Sequence, residues 1–215
     1  MSKISIVTAF YDIGRGDWTT SVEKNGGPLP HYLERSVDKY IDHFTRLCEI
    51  DTEIIVYTSS DIAPRLSSIS PNVKVVEYDY FNIHKDLRDG IEAIQNNPEF
   101  IKKINPYQVR NPEYWSKDYV GVTSLKAFYV NDAFEKGLIT NDWAAWVDFG
   151  YCRDDEHVLP VQGIDVPHLA AMDQVQALEG GLKDGGHARR VHGTPVASLL
   201  PCAARVAKAL HFRLH

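Results

Sequence analysis

Apolar positions run along this chain in two rhythms. Residues 4–11 form a run rich in β-branched and aromatic side chains, and residues 53–58 and 73–78 repeat the pattern, so each predicts a strand. Over roughly residues 31–49 the spacing turns helical: Leu33, Val37, Tyr40, Ile41, Phe44, Leu47 and Cys48 recur opposite Glu34, Lys39, Asp42 and Arg46. His31 and His43 fall off this stripe and read as surface histidines, and residues 61–68 predict a short helix. Strands alternating with helices predict an α/β fold: a mostly parallel sheet with right-handed crossovers, flanked by helices.

The middle of the chain is also helical in pattern, with Ile91, Ile94, Phe100, Ile101 and Ile104 as expected buried positions and Pro98 as a break. Asn111-Pro-Glu113 is a helix-start signal, combining a capping side chain, a proline at the first helical position and an acid in the first turn. The predicted helix, or helix pair, runs to Gly137, with Val122, Leu125, Phe128, Tyr129 and Ala133 on its core face and Lys126 beside it. Then comes Trp143-Ala-Ala-Trp-Val-Asp148, an apolar run suited to a central strand covered on both faces. It stops at a carboxylate. In open α/β sheets ligands bind beyond the carboxyl ends of the strands, so Asp148, followed by Gly150, is a candidate to touch a substrate or a metal; otherwise it caps a turn.

Candidate chemistry gathers at two further places. The loop after the first strand carries Asp12, Arg15 and Asp17, donors and acceptors that suit a base, a ribose or a phosphate, or that make a solvated turn. Gly14 and Gly16 do not make it a dinucleotide fingerprint: Thr19 occupies the third glycine position, and Pro28 and Pro30 precede any helix. His84-Lys-Asp-Leu87 followed by Asp148-Phe-Gly150 imitates kinase motifs, yet Ile91 stands where the metal-binding Asn belongs. Lys126, on the helix just before the Asp148 strand, either reaches a diphosphate or extends to solvent.

Composition narrows the partners. A chain of 215 residues, 44% apolar and 24% charged, suffices for one domain with a substantial core. A net charge of −6 argues against a general attraction to nucleic acid. Cys48, Cys152 and Cys202 are odd in number and widely spaced, which suits reduced thiols. No stretch has the apolar length of a signal peptide core or a transmembrane span, so the expectation is a protein that stays in the cytoplasm where it is made. After about residue 156 the character changes: only Phe212 remains of the aromatic residues, while six of nine histidines lie from His157 onward. Residues 1–156 are therefore expected to form the folded domain, and 157–215 an atypical tail, foreign, frame-shifted or poorly packed, or else an appendage with an amphipathic helix near 196–210.

Several ordered motifs carry a resemblance. Ile6-Val-Thr-Ala-Phe-Tyr-Asp-Ile-Gly-Arg-Gly-Asp-Trp18, Asn111-Pro-Glu-Tyr114, Lys126-Ala-Phe-Tyr-Val-Asn-Asp-Ala133 and Trp146-Val-Asp-Phe-Gly-Tyr-Cys-Arg153 resemble the bacterial HtrL/YibB family over about residues 1–156. Genes of that family are associated with lipopolysaccharide-core synthesis, and its members look like glycosyltransferases of the GT-A type. The resemblance implies a nucleotide-sugar donor, a glycolipid or other envelope-glycan acceptor, and a nucleotide site near Thr8, Asp12 and Arg15, with Lys126 at the diphosphate. It places Asp148, as catalytic residue and metal ligand, at the first position of an Asp-x-Asp motif. Gly150 occupies the second, so a manganese or magnesium site needs Asp154 or Asp155 to complete it, or else Arg15 and Lys126 neutralise the diphosphate instead. The alternative reading is a non-catalytic domain that binds nucleotide or a partner protein.

Overall fold

The computed structural model describes residues 4–153. In chain order its elements are β1 (Ile4–Phe10), a small hairpin of β2 (Glu23–Lys24) and β3 (Gly27–Pro28), α1 (Val37–Leu47), β4 (Ile54–Thr58), α2 (Ala63–Ser67), β5 (Val73–Glu77), α3 (Tyr80–Ile83), α4 (Lys85–Gln95), α5 (Pro98–Ile101), α6 (Lys117–Ser124), α7 (Lys126–Glu135) and β6 (Trp143–Trp146). The main sheet has the order β5-β4-β1-β6, and all its strand pairs are parallel. The α/β class and the parallel sheet flanked by helices are thus as the periodicity predicts.

Alternation along β1 divides the core in two. Ile6 and Phe10 face one layer, where Phe44 and Leu47 of α1 and Leu66 of α2 pack against Ile54 and Val56 of β4. Val7 and Ala9, with Tyr11 beyond the strand end, face the other, where Tyr129, Val130 and Ala133 of α7 meet Ile55, Tyr57 and Trp146. Both faces of β1 and β4 are covered, which is why their sequences are apolar at successive positions rather than alternating.

Glu53, at the start of β4, ties the amino ends of the sheet together. Its carboxylate accepts from Ser5 Oγ at 2.6 Å, from Thr140 N at 3.1 Å and Thr140 Oγ1 at 3.0 Å, and pairs with Lys74 of β5. Burial alone would raise its pKa, but the hydrogen bonds from Lys74, Ser5 and Thr140 outweigh that and hold it at about 2. Strands β1, β4, β5 and the approach to β6 therefore share one electrostatic clasp.

Several sequence expectations are corrected. Among the described residues, the run expected as a central strand over 143–148 is the edge strand β6 (Trp143–Trp146), paired only with β1. Its apolar character comes from α7 and the tyrosines on one face and from the β1 side chains beside it, not from strands on both sides. The helix expected over 31–49 is shorter. A 3₁₀ turn at His31–Leu33 follows Pro30, and α1 begins only after Ser36, whose side chain caps Lys39 N at 3.2 Å. Leu33 leaves the stripe to pack with Trp18 and Leu29, and His43 is buried rather than exposed.

The remaining corrections concern the region between β5 and β6. Asn111-Pro-Glu113 starts a 3₁₀ turn at Pro112–Tyr114 with no side-chain cap, and Ser116 caps α6 instead, while α6 and α7 form the pair that reaches Gly137. Phe128, expected in the core, is partly exposed. Ile94 and Ile101, also expected to be buried, are 57% and 37% exposed. Helix α4 packs mainly on α6 rather than against the sheet, which leaves Ile94 on its exposed side. The expected tail at 157–215 and the candidate carboxylates Asp154 and Asp155 lie outside the described residues.

Candidate functional site

The order β5-β4-β1-β6 sends the chain from β1 outward through β4 and β5 and then back to the opposite side of β1. The strand order reverses between β1 and β6. At such a switch point the connections leaving the two strands diverge, which opens a crevice beyond their carboxyl ends. A cleft of about 230 Å³ lies there. Its floor is the strand ends from Ala9 to Asp12 and from Trp146 to Gly150; its walls come from Arg15, Arg35, Val37 and Tyr40 on one side and Tyr119, Val122, Thr123 and Lys126 on the other. Arg153 also borders it.

The Asp-Phe-Gly turn after β6 is built by three residues with three destinations. Phe149 turns inward and stacks between Phe10 and Phe44, with ring centroids 4.6 and 4.4 Å away, anchoring the turn to the core by about 2–3 kcal/mol of burial. Asp148 turns outward. Its Oδ1 accepts from Lys126 Nζ at 2.6 Å and from the Trp146 indole N–H at 2.8 Å. The turn itself closes through the backbone, Tyr151 N donating to Asp148 O at 2.9 Å, so the Asp148 side chain is not the turn's cap. Gly150 packs closely against Tyr40: a Cβ there would sit 2.8 Å from Tyr40 Cε1 and 3.1 Å from Cδ1.

The loop after β1 is equally specific. Asp12 Oδ1 accepts from Gly14 N at 2.9 Å, and Gly14 takes a positive φ of 75°, which bends the loop back over the cleft mouth. Arg15 is drawn inward: its Nε and Nη2 donate to Leu33 O at 3.2 and 2.9 Å, its Nη1 donates to the Tyr40 hydroxyl, and its guanidinium lies over the rings of Trp18, Tyr40 and Tyr119. Burial lowers its pKa without discharging it.

Of the residues singled out from sequence, Asp12, Arg15, Lys126 and Asp148 are therefore brought to one cleft. Thr8 is not. It sits mid-strand in β1, opposite Val56, fully buried, with its hydroxyl unpartnered and outside the cleft lining. Sequence reasoning missed Arg35, Tyr40 and Tyr119, which come from segments far apart in the chain and had no local signal; Arg153 was visible as charge following Gly150.

Cations outnumber anions here: Arg15, Arg35, Lys126 and Arg153 against Asp12 and Asp148. The same excess is felt by buried His43 behind the cleft, whose pKa is lowered by burial and then by the charges of Arg35, Arg153, Arg46 and Lys39. Such a cleft attracts an anion, in a protein whose net charge is −6. Among the described residues, the donor set suits a divalent cation poorly. No group of three or more His, Cys, Asp or Glu side chains converges among the described residues, one Asp148 oxygen already holds Lys126, and the Gly150 position is closed to a second carboxylate by Tyr40.

The motifs that frame this cleft match a profile described as a bacterial protein of unknown function, HtrL_YibB, over residues 2–173. The chain belongs to the HtrL/YibB family. It is 42% identical over 154 residues to Protein HtrL of Escherichia coli (strain K12), a match that covers 71% of this chain and 52% of that relative. The chain thus spans about half the length of the curated relative it matches. No solved structure matches it. Among the described residues, no helix is long and apolar enough to cross a membrane.

Proposed function

We propose that this HtrL/YibB domain is the donor-binding part of a GT-A-like glycosyltransferase, which passes a sugar from a nucleotide-sugar to a lipopolysaccharide or other envelope-glycan acceptor. The observation that carries this reading is the cation-rich cleft at the β1/β6 switch point, with one outward-facing carboxylate at the end of β6. Sugar transfer from such a donor releases a nucleoside diphosphate. Positive charge fixed beside the leaving group stabilises the negative charge that develops as the glycosidic bond breaks. Asp148 is held by Lys126 and Trp146 through one oxygen, leaving the other to accept from donor-sugar hydroxyls.

A second reading has an observation of its own. The position that would complete an Asp-x-Asp pair is filled by a packed glycine, as in a domain that binds a nucleotide or a partner without turnover. Donor hydrolysis followed with and without acceptor glycolipid separates the two, because a binding domain yields no free sugar in either case.

Asp148→Asn tests the role of the carboxylate. The amide keeps an oxygen for the Trp146 indole but loses the charge facing Lys126, an ion pair whose members are 30% and 55% exposed. Stability should change by less than about 1 kcal/mol, since exposed pairs contribute little. Binding of the matching nucleotide-sugar should fall roughly tenfold, as a charge-assisted hydrogen bond becomes a neutral one. Equal binding by both proteins in calorimetry would make Asp148 a positioning residue for Lys126 only.

A further inference from the structure

The two cations that sequence logic would assign to a diphosphate are both engaged elsewhere. Arg15 spends three donors on Leu33 O and the Tyr40 hydroxyl beneath three aromatic rings, and Lys126 is paired with Asp148. Arg35 and Arg153 are different. Both line the same cleft, and neither guanidinium meets a carboxylate among the described residues; Arg35 has only the Tyr40 ring, 5.9 Å from its Cζ. They are positioned through main-chain atoms instead, Arg35 N donating to Arg15 O at 3.0 Å and Arg153 O accepting from Arg46 Nη1 at 2.7 Å, so the side-chain forks are left for a ligand.

We infer that Arg35 and Arg153 hold the diphosphate of the ligand directly, as a two-guanidinium clamp that replaces a divalent cation. This rests on the reading of the cleft as a nucleotide-sugar site. Each guanidinium presents a planar fork that matches two phosphate oxygens, and two of them supply the double positive charge a bridging ion would bring. Their placement follows from the fold. Arg35 immediately precedes the Ser36 cap of α1, and Arg153 follows the Asp148–Tyr151 turn, so they approach from the two sides of Tyr40 and Gly150. The close packing of Gly150 on Tyr40 thus belongs to the same arrangement, because a carboxylate there would bring negative charge toward the arginines.

The test is calorimetric titration of the full 215-residue chain with inorganic pyrophosphate and a panel of UDP, GDP, ADP and CDP. Titrations are run first in EDTA and then in manganese or magnesium. At least one nucleoside diphosphate should bind in EDTA with an affinity within about twofold of that with metal. Arg35→Gln and Arg153→Gln should each weaken it about tenfold or more, Arg35→Lys and Arg153→Lys less, and Lys102→Gln, on the far surface, not at all. Far-UV circular dichroism and melting curves confirm that each variant is folded, and the Lys variants keep the test open if a Gln variant is not. Binding that appears only with metal and is unaffected by the arginine variants would overturn the clamp while leaving the nucleotide-sugar reading intact. No binding under either condition would overturn both.

Discussion

Glu53→Ala is expected to lower folding stability by about 3 kcal/mol, or the melting temperature by roughly 6–12 °C. The folded-state pKa of about 2 lies below the ordinary value of 4.5, a difference worth roughly 3.4 kcal/mol by linkage. Lys74 is 43% exposed, so screening brings the ionic share down to about 2 kcal/mol. Alanine also leaves the Ser5 hydroxyl and the Thr140 N–H without their acceptor, adding about 1 kcal/mol. The pH dependence follows from the sign of the shift. A depressed carboxyl pKa means that the folded chain binds the proton less readily, so the stabilisation is complete above about pH 5 and is lost as pH falls from 4.5 toward 2. Melting curves of wild type and Glu53→Gln should accordingly be furthest apart near neutrality and converge at the acid end. A constant gap across that range would mean that Glu53 acts by packing and not by charge.

Restoring the missing carboxylate should fail. Gly150→Asp would put a Cβ 2.8 Å from the Tyr40 ring, and the ring cannot retreat freely. It packs on Phe10 with centroids 5.2 Å apart, and its hydroxyl accepts from Arg15. Overpacking of this kind costs about 1–3 kcal/mol. Displacing Tyr40 also releases Arg15 and moves the wall beside Arg35, so nucleotide affinity should drop by about tenfold or more without any manganese dependence appearing. Gly150→Ala, which adds the Cβ without the charge, separates the causes: it should reproduce the loss of stability and the part of the binding loss that comes from moving Tyr40, and the remainder in Gly150→Asp is the effect of negative charge beside the arginines. If Gly150→Asp binds nucleotide more tightly with manganese, Tyr40 gives way easily and the site accepts a metal after all.

The strands of the main sheet were legible in the sequence because strands buried on both faces write long apolar runs, as in Ile54–Thr58. Position within the sheet was not. Trp143–Trp146 is as apolar as a central strand, yet it is an edge among the described residues, since aromatic neighbours on α7 and β1 ask for the same side chains as a flanking strand would. Helix beginnings were misplaced where two start signals compete within a few residues, as Asn111-Pro112 and Ser116 do: the 3₁₀ turn takes the first and the α-helix the second. His43 shows the limit of helical periodicity, because its burial is decided by Tyr40 and the turn around Gly150, not by its place on α1. In the cleft, Asp12, Arg15, Lys126 and Asp148 were identifiable from strand ends and charge. That Arg15 and Lys126 are committed to protein partners, while Arg35 and Arg153 meet no carboxylate among the described residues, depends on distances between segments that no local pattern encodes.

Among the described residues the first strand pairs with the last, and this sets the order in which the molecule comes together. β1 meets β4 across about fifty residues but meets β6 only after nearly the whole described chain has been made. During synthesis the β1–β4–β5 half can associate early, with α1 and Arg35 already beside the end of β1. The loop that brings in β6 is the longest to close and therefore carries the greatest entropic penalty. Among the described residues, the cleft between β1 and β6 is accordingly the last part of the sheet to be assembled. A nascent chain that stops short of Asp148 has an open β1 edge and lacks the β6 side of the cleft.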